Sequence, residues 1–144
     1  MKKILIAAYS LGLGGIETSL VTLIKELEKR YKITLVLEKK EGIFLEKISK
    51  NIKIEEYTPN NNKNILIRKA INMIKQTIFK IKNKNKYDFS VAYATYSLSN
   101  GFVARTASKN SALWIHLDYL SHNANNEEKT REYYKSLKCN QYKN

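Results

Sequence analysis

A glycine-rich turn near the amino terminus is the first place where this sequence could do chemistry. Gly12, Gly14 and Gly15 separate an apolar segment from a segment of helical periodicity, and Glu17 follows them. Glycine lets the backbone approach a ligand closely, and the first amides of a helix have no partner within the helix. Because the helix dipole also favours negative charge there, the pattern predicts a phosphate-binding turn. The alternative is a tight strand-to-helix turn that binds nothing.

Two familiar phosphate-binding motifs fit this turn poorly. A P-loop is excluded because glycine-lysine-serine or glycine-lysine-threonine occurs nowhere in the sequence. Gly12 and Gly14 match the first two glycines of the dinucleotide fingerprint, and Glu38 stands where an acid would hold a ribose. Glu17, however, occupies the third glycine position, where a small residue lets helix and strand pack closely. We therefore do not expect dinucleotide binding.

A histidine at the end of a predicted strand is the second candidate. His116 closes an apolar segment, and Asp118 follows closely behind it. Imidazole donates or accepts hydrogen bonds near neutral pH, although a strand-end histidine can also bond only to backbone. A serine hydrolase is not indicated, because no Gly-x-Ser-x-Gly motif is present. His116 and His122 with Cys139 do not have a zinc spacing, so no metal site is predicted.

Alternating strand and helix patterns must position these residues. The predicted strands are 3–9, 32–37, 52–57, 87–93 and 112–116, and the predicted helices are 16–30, 43–50, 64–82, 98–108 and 127–138. This alternation predicts an α/β fold, a Rossmann-like doubly wound parallel sheet of strand order 3-2-1-4-5. Ligands bind such sheets at the carboxyl ends of strands 1 and 4, where the order reverses. The glycine turn and His116 are both predicted at that edge.

Taken together, these motifs resemble a known family. Gly-Gly-Ile-Glu at 14–17, after a buried strand and before the helical segment 19–27, is similar to the amino-terminal domain of family 4 glycosyltransferases, which have the two-domain GT-B fold. The segment 114–118, Trp-Ile-His-Leu-Asp, resembles the family's strand that ends in a histidine. The resemblance covers essentially the whole chain. It implies that residues 1–144 form the acceptor-side domain, incomplete at its carboxyl-terminal end and without the donor-binding domain.

The resemblance also implies a reaction. A retaining transfer would move a sugar from a nucleotide-diphosphate sugar to a saccharide or lipid-linked acceptor in cell-surface polysaccharide synthesis, such as that of a capsule, without a bound metal or other cofactor. Gly14, Gly15 and Glu17 would lie at the donor diphosphate, and His116 and Asp118 beside the donor sugar. Since a carboxylate repels phosphate, we expect Glu17 to cap the helix start or brace the turn. The chain alone is expected to be inactive.

Composition and charge limit which other classes of protein this chain could belong to. The 144 residues include 43% apolar residues and one proline, which favours one folded domain. The net charge of +13 rests mainly on lysine, whereas arginine is preferred for base and phosphate contacts, so nucleic acid is not an expected partner. A single cysteine and the lack of a secretory signal pattern predict a cytoplasmic protein. A non-catalytic Rossmann-like nucleotide- or phosphate-binding module stays open as the alternative.

The predicted helix 64–82 is both basic and amphipathic. Its isoleucines form one stripe, and its lysines and arginine lie largely off that stripe: Ile67, Ile71, Ile74, Ile78 and Ile81 against Arg68, Lys69, Lys75, Lys80 and Lys82. In a doubly wound fold each helix buries one stripe against the sheet, so we expect the isoleucines to face inward. The outward lysines then predict peripheral contact with an anionic membrane on its inner face.

Overall fold

The structure is a computed structural model that describes residues 1–94 and 97–142. Within these residues the strands are β1 (Lys3–Ala8), β2 (Lys32–Leu37), β3 (Lys53–Glu56), β4 (Phe89–Ala92) and β5 (Ser111–Leu113). The helices are α1 (Gly15–Leu27), α2 (Ile65–Asn83), α3 (Leu98–Ala107), α4 (Tyr119–His122) and α5 (Glu127–Ser136). Short 3-10 turns cover Leu45–Lys47 and Cys139–Gln141.

The five strands form one parallel sheet in the order β3-β2-β1-β4-β5. β1 lies at its centre, where Ile6 pairs with Leu35 on one side and Val91 on the other. The near-continuous apolar sequence of β1 is typical of a strand covered on both faces. The predicted Rossmann-like, doubly wound architecture is therefore confirmed.

Alternating side chains of β1 divide the core into two clusters. Ile4 and Ile6 face α1 and pack with Leu20 and Ile24, whereas Leu5 and Ala7 face α2 and α3. The second cluster is smaller, and its helical members include Phe79, Val103 and Ala107. The sheet therefore has helices on both faces, but they cover those faces unequally.

The orientation of α2 differs from the one predicted. Ile74 is 57% exposed, Ile78 is 59% exposed and Ile81 is 78% exposed, so the expectation that the isoleucine stripe faces the sheet is wrong. The buried residues of α2 are Phe79 and Asn83 instead. Phe79 closes an aromatic cluster with Tyr57 and Phe102, at ring-centroid distances of 5.1 and 5.9 Å.

Polar contacts explain this orientation of α2. The Asn72 side chain accepts a hydrogen bond from the Asn60 amide (2.6 Å) and donates one to the Asn60 carbonyl oxygen (3.1 Å). Lys75 donates to the Thr58 carbonyl oxygen (2.9 Å). The segment after β3 has backbone groups that need partners, and the asparagine and lysine side of α2 satisfies them. The isoleucines then face outward.

Three other predicted elements are shorter than expected. The helix predicted over 43–50 is only the 3-10 turn Leu45–Lys47, because Gly42 has a positive φ just before it and Ile48 is extended (ψ 130°) just after it. The fifth strand ends at Leu113, so His116 lies beyond the strand rather than at its end. The last predicted helix ends at Ser136, shortly before Lys138 adopts a left-handed φ of 54°.

Candidate functional site

The predicted site residues lie at one edge of the sheet. β1, β4 and β5 are parallel, so their carboxyl ends share an edge. The glycine turn follows β1, Tyr93 and Ala94 follow β4, and the segment 114–116 follows β5. This edge includes the point between β1 and β4 where the strand order reverses, the usual position of ligands in doubly wound folds.

The connection between β2 and β3 holds the glycine turn in place. Leu11 is fully buried, its amide donates to the Glu41 carbonyl oxygen (2.9 Å), and its carbonyl oxygen accepts from the Phe44 amide (3.0 Å). Gly42 has a φ of +121°, and a side chain there would overlap the Leu11 carbonyl group. Sequence reasoning missed Gly42, although a glycine just before an apolar segment can indicate a turn rather than a helix.

Asn100 is a second positioning residue that the sequence did not reveal. It is buried within α3, and hydrogen-bond geometry assigns its side-chain amide so that the nitrogen donates to the Ala8 carbonyl oxygen (3.1 Å) and the oxygen accepts from the Tyr9 amide (3.3 Å). These bonds fix the backbone where β1 passes into the glycine turn. A single asparagine in a helical segment gives no sequence signal for such a role.

The start of α1 is open on its glycine side. Gly14 precedes the helix in an extended conformation, and Gly15 is its first residue, exposed, with nothing within 4 Å of the place where a side chain would begin. The first amides of α1 therefore have room for an anion. The Glu17 carboxylate folds back over Gly14, where a side chain on Gly14 would overlap it. This carboxylate lies where a bound phosphate would compete with it.

The start of α3, by contrast, is already occupied. Ser97 caps this helix, and the hydroxyl groups of Ser97 and Ser99 both donate to the Glu38 carboxylate. Glu38 therefore lies against the amino terminus of α3 and supplies the negative charge that this end of a helix favours. Of these two helix starts at the carboxyl edge, that of α1 exposes glycine backbone, whereas that of α3 is already occupied by the Glu38 carboxylate.

An aromatic cluster holds His116 at the same edge. The His116 ring lies 4.7 Å from the Tyr93 ring and stacks parallel to Trp114 at 5.7 Å, measured between centroids. Tyr93 is buried, and its hydroxyl group hydrogen-bonds Ser19 Oγ of α1 at 2.9 Å. Tyr93 therefore joins the first helix to the segment that carries His116. Within residues 1–94 and 97–142, the buried His116 Nε2 atom has no hydrogen-bond partner.

Asp118 lies outside this cluster and caps the start of α4. Its carboxylate accepts hydrogen bonds from the Ser121 hydroxyl (2.6 Å) and the Leu120 amide (3.1 Å) at the start of α4. These bonds hold the pKa of Asp118 below its usual range, and the bond from the Ser121 hydroxyl has the largest effect. The carboxylate is fully exposed, and its observed contacts are those of a helix cap.

A groove of ≈ 1160 Å³ runs along the sheet face beside α1. Its apolar floor includes Ile4, Ile6 and Val91, and Leu23 and Leu27 of α1 form one wall. The groove begins at the amino ends of β1 and β4 and reaches Trp114 and Ile115 near the carboxyl edge. It does not include the glycine turn, so it is separate from the predicted donor position.

No protein-family model matches the sequence, and a comparison with curated protein sequences finds no match. A comparison with solved structures finds the lipopolysaccharide outer core galactosyltransferase WaaB in its apo form, with a TM-score of 0.53 and 18% sequence identity. The match covers 85% of this chain and 35% of that chain. WaaB is a glycosyltransferase of the GT-B fold, and the likeness confirms the predicted fold. The chain thus spans about a third of the length of this structural neighbour.

Proposed function

We propose that this chain is the acceptor-side half of a glycosyltransferase, which moves a sugar from a nucleotide-diphosphate sugar to a hydroxyl group of a saccharide or lipid-linked acceptor, with retention of anomeric configuration. One observation carries this proposal. The open glycine start of α1 and the partnerless Nε2 atom of His116 lie at the same sheet edge, joined through Tyr93. The GT-B fold of the structural neighbour supports it. The donor is a substrate, and the proposal includes no cofactor.

The start of α1 would bind the donor diphosphate. In the reaction the acceptor oxygen forms a bond to the anomeric carbon and passes its proton to an oxygen of the departing diphosphate, while the bond from that carbon to the diphosphate breaks and leaves its electron pair on the diphosphate. Amides at Gly15 and Ile16 would stabilise this leaving charge, since they lie at the positive end of the helix dipole. Glu17 must move away from Gly14 as the phosphate enters. In its observed position the carboxylate lies near the positive end of the helix dipole, which favours negative charge.

His116 would bind the donor sugar. Its ring packs against Tyr93 and Trp114, which set the ring's orientation before a ligand arrives. A sugar hydroxyl would satisfy this buried nitrogen, whose lack of a partner otherwise costs free energy. Asp118, which caps α4, would act as a positioning residue for the segment that follows His116 rather than on the sugar itself.

The alternative is a non-catalytic module that binds a nucleotide or phosphate. The same glycine start supports it, because a helix start recognises phosphate whether or not a sugar is attached. The two functions differ in what His116 does. A glycosyltransferase half should bind a nucleotide-diphosphate sugar more tightly than the bare nucleoside diphosphate, and His116→Ala should remove that difference. In a phosphate-binding module, both ligands bind equally and His116→Ala has no effect.

Titration of the 144-residue chain with nucleoside diphosphates and their sugar conjugates, followed by amide NMR, tests the donor site. We expect the amides of residues 14–17 to shift and Gly15→Glu to weaken binding at least about tenfold, because it places a carboxylate at the anion site. The matched control is Thr22→Glu, the same charge farther along the exposed side of α1. Unshifted amides at 14–17, or equal affinities for the two variants, would refute a diphosphate site here.

A further inference from the structure

The outward face of α2 is apolar, continuous and uncovered by the described residues. Besides the isoleucine stripe, which is exposed at Ile67, Ile74, Ile78 and Ile81, Leu66 and Met73 are also exposed. The helix has 19 residues and is therefore roughly 28 Å long. Monomeric soluble proteins seldom expose a continuous apolar surface of this kind, and such a surface indicates an interaction site.

Basic residues border this apolar face. With about 3.6 residues per turn, Arg68 lies along one edge of this apolar face, and Lys69 and Lys80 lie along the other. Lys75 and Lys82 follow the same edge as Arg68, but they bond inward, to the Thr58 carbonyl oxygen and to Glu55. Residues 58–86 contain eight basic residues and no acidic residue. An apolar stripe between two basic edges is the arrangement of helices that lie in the plane of a membrane, with aliphatic side chains in the acyl region and lysines at the headgroups.

We propose that α2 binds an anionic lipid surface, with its isoleucine face inserted among the headgroups and acyl chains. This inference concerns membrane attachment and does not rest on the proposed transfer reaction. It reverses the orientation that the sequence suggested, because isoleucines rather than lysines alone would enter the lipid. α2 can do so without leaving the protein, since Phe79 and Asn72 hold its opposite side. By itself no helix in the described ranges has the length and apolarity to cross a membrane.

Charge favours lipid over a second copy of the chain as the occupant. Two α2 faces packed against each other would bring basic edges together, and Glu55, the acidic side chain that contacts α2, is already paired with Lys53 and Lys82. An anionic leaflet attracts each of these basic residues instead, and the attraction falls as salt rises. Burial of the apolar face and attraction of the basic residues therefore both favour an anionic lipid surface as the occupant.

Co-sedimentation of the full chain with vesicles tests this proposal. Phosphatidylglycerol mixed with phosphatidylcholine supplies the anionic surface, and pure phosphatidylcholine is the neutral reference. We expect salt-sensitive binding to the anionic vesicles and at least about tenfold weaker binding to neutral ones. The double variant Ile74→Asp/Ile78→Asp should lower the partition coefficient at least about tenfold. Lys69→Gln/Lys80→Gln should lower it about tenfold and flatten its dependence on salt.

A matched control separates insertion from the loss of net charge. Leu13→Asp/Ile43→Asp changes the same charge at two exposed apolar residues outside α2 and should bind within about twofold of the unmodified chain. Circular dichroism verifies that each variant is folded. Equal loss in the control and the α2 variant, or equal binding to neutral vesicles, would overturn the proposal. So would a concentration-dependent dimer, seen by size-exclusion chromatography, that Ile74→Asp/Ile78→Asp abolishes while vesicles are not bound.

Discussion

Helices α1 and α2 are both amphipathic, yet their apolar stripes face opposite environments. In α1 the stripe lies against the sheet, and Leu20, Val21 and Ile24 are buried. In α2 the isoleucine stripe faces outward, and only Phe79 and Asn83 are buried. The comparison shows that an amphipathic pattern establishes an apolar face without establishing what covers it. For α2, neighbouring backbone groups that needed polar partners decided the orientation.

Alanine substitutions in the two stripes test this comparison most strongly. Ile24→Ala should lower the free energy of unfolding by about 3–4 kcal/mol, because it removes a buried side chain and leaves a cavity. Ile74→Ala, the same change on the exposed stripe, should lower it by less than about 0.5 kcal/mol. Urea denaturation monitored by circular dichroism gives both values. Similar losses in the two variants would mean that the α2 stripe is covered in solution.

The starts of the two helices offer a second test. α1 has no side-chain cap, and Gly42 supports the turn before it, whereas the Asn64 side chain caps α2 by accepting from the Leu66 amide (3.0 Å) and the Ile67 amide (3.3 Å). Gly42→Ala should cost about 2 kcal/mol through its positive φ and its overlap with Leu11.

The corresponding change at α2, Asn64→Ala, should cost about 1 kcal/mol, a typical value for a lost cap. Thermal or urea unfolding measures both, and NMR shifts locate the disturbance. For Gly42→Ala the shifts should centre on residues 9–15, since Leu11 and Gly12 of that segment lie against Gly42. A disturbance confined to 42–50 would show that the glycine turn is stable without this support.

The smallest expected effect on stability concerns Glu17. Glu17→Gln removes the carboxylate beside the start of α1, which should lower stability by about 0.5 kcal/mol through the lost interaction with the helix dipole. The same change should strengthen nucleoside diphosphate binding several-fold, because the competing negative charge is gone. Isothermal titration measures the gain, and Glu26→Gln, also on α1 but far from its start, is the control. Weaker binding after Glu17→Gln would assign Glu17 a direct role with the ligand.

The candidate site was predictable to the extent that it depends on chain order. Residues that follow parallel strands must share an edge, so chain order alone places Gly14, Gly15 and His116 together. Tyr93, Gly42 and Asn100 could not, because each acts through contacts with residues distant in sequence. Asp118 is near His116 in sequence, yet its carboxylate is bonded to the start of α4.

The sequence by itself determined the sheet and its strand order, since short apolar strands alternating with amphipathic helices allow few right-handed arrangements. It also determined which turn has the glycines for an anion. Only the tertiary structure decided which side of α2 is covered and which helix start stays open. Local periodicity shows which face of a helix is apolar enough to be buried. Which side of α2 is covered depends on its hydrogen bonds to Asn60 and Thr58. Which helix start is occupied depends on where Glu38 lies. Those partners come together only when the chain has folded.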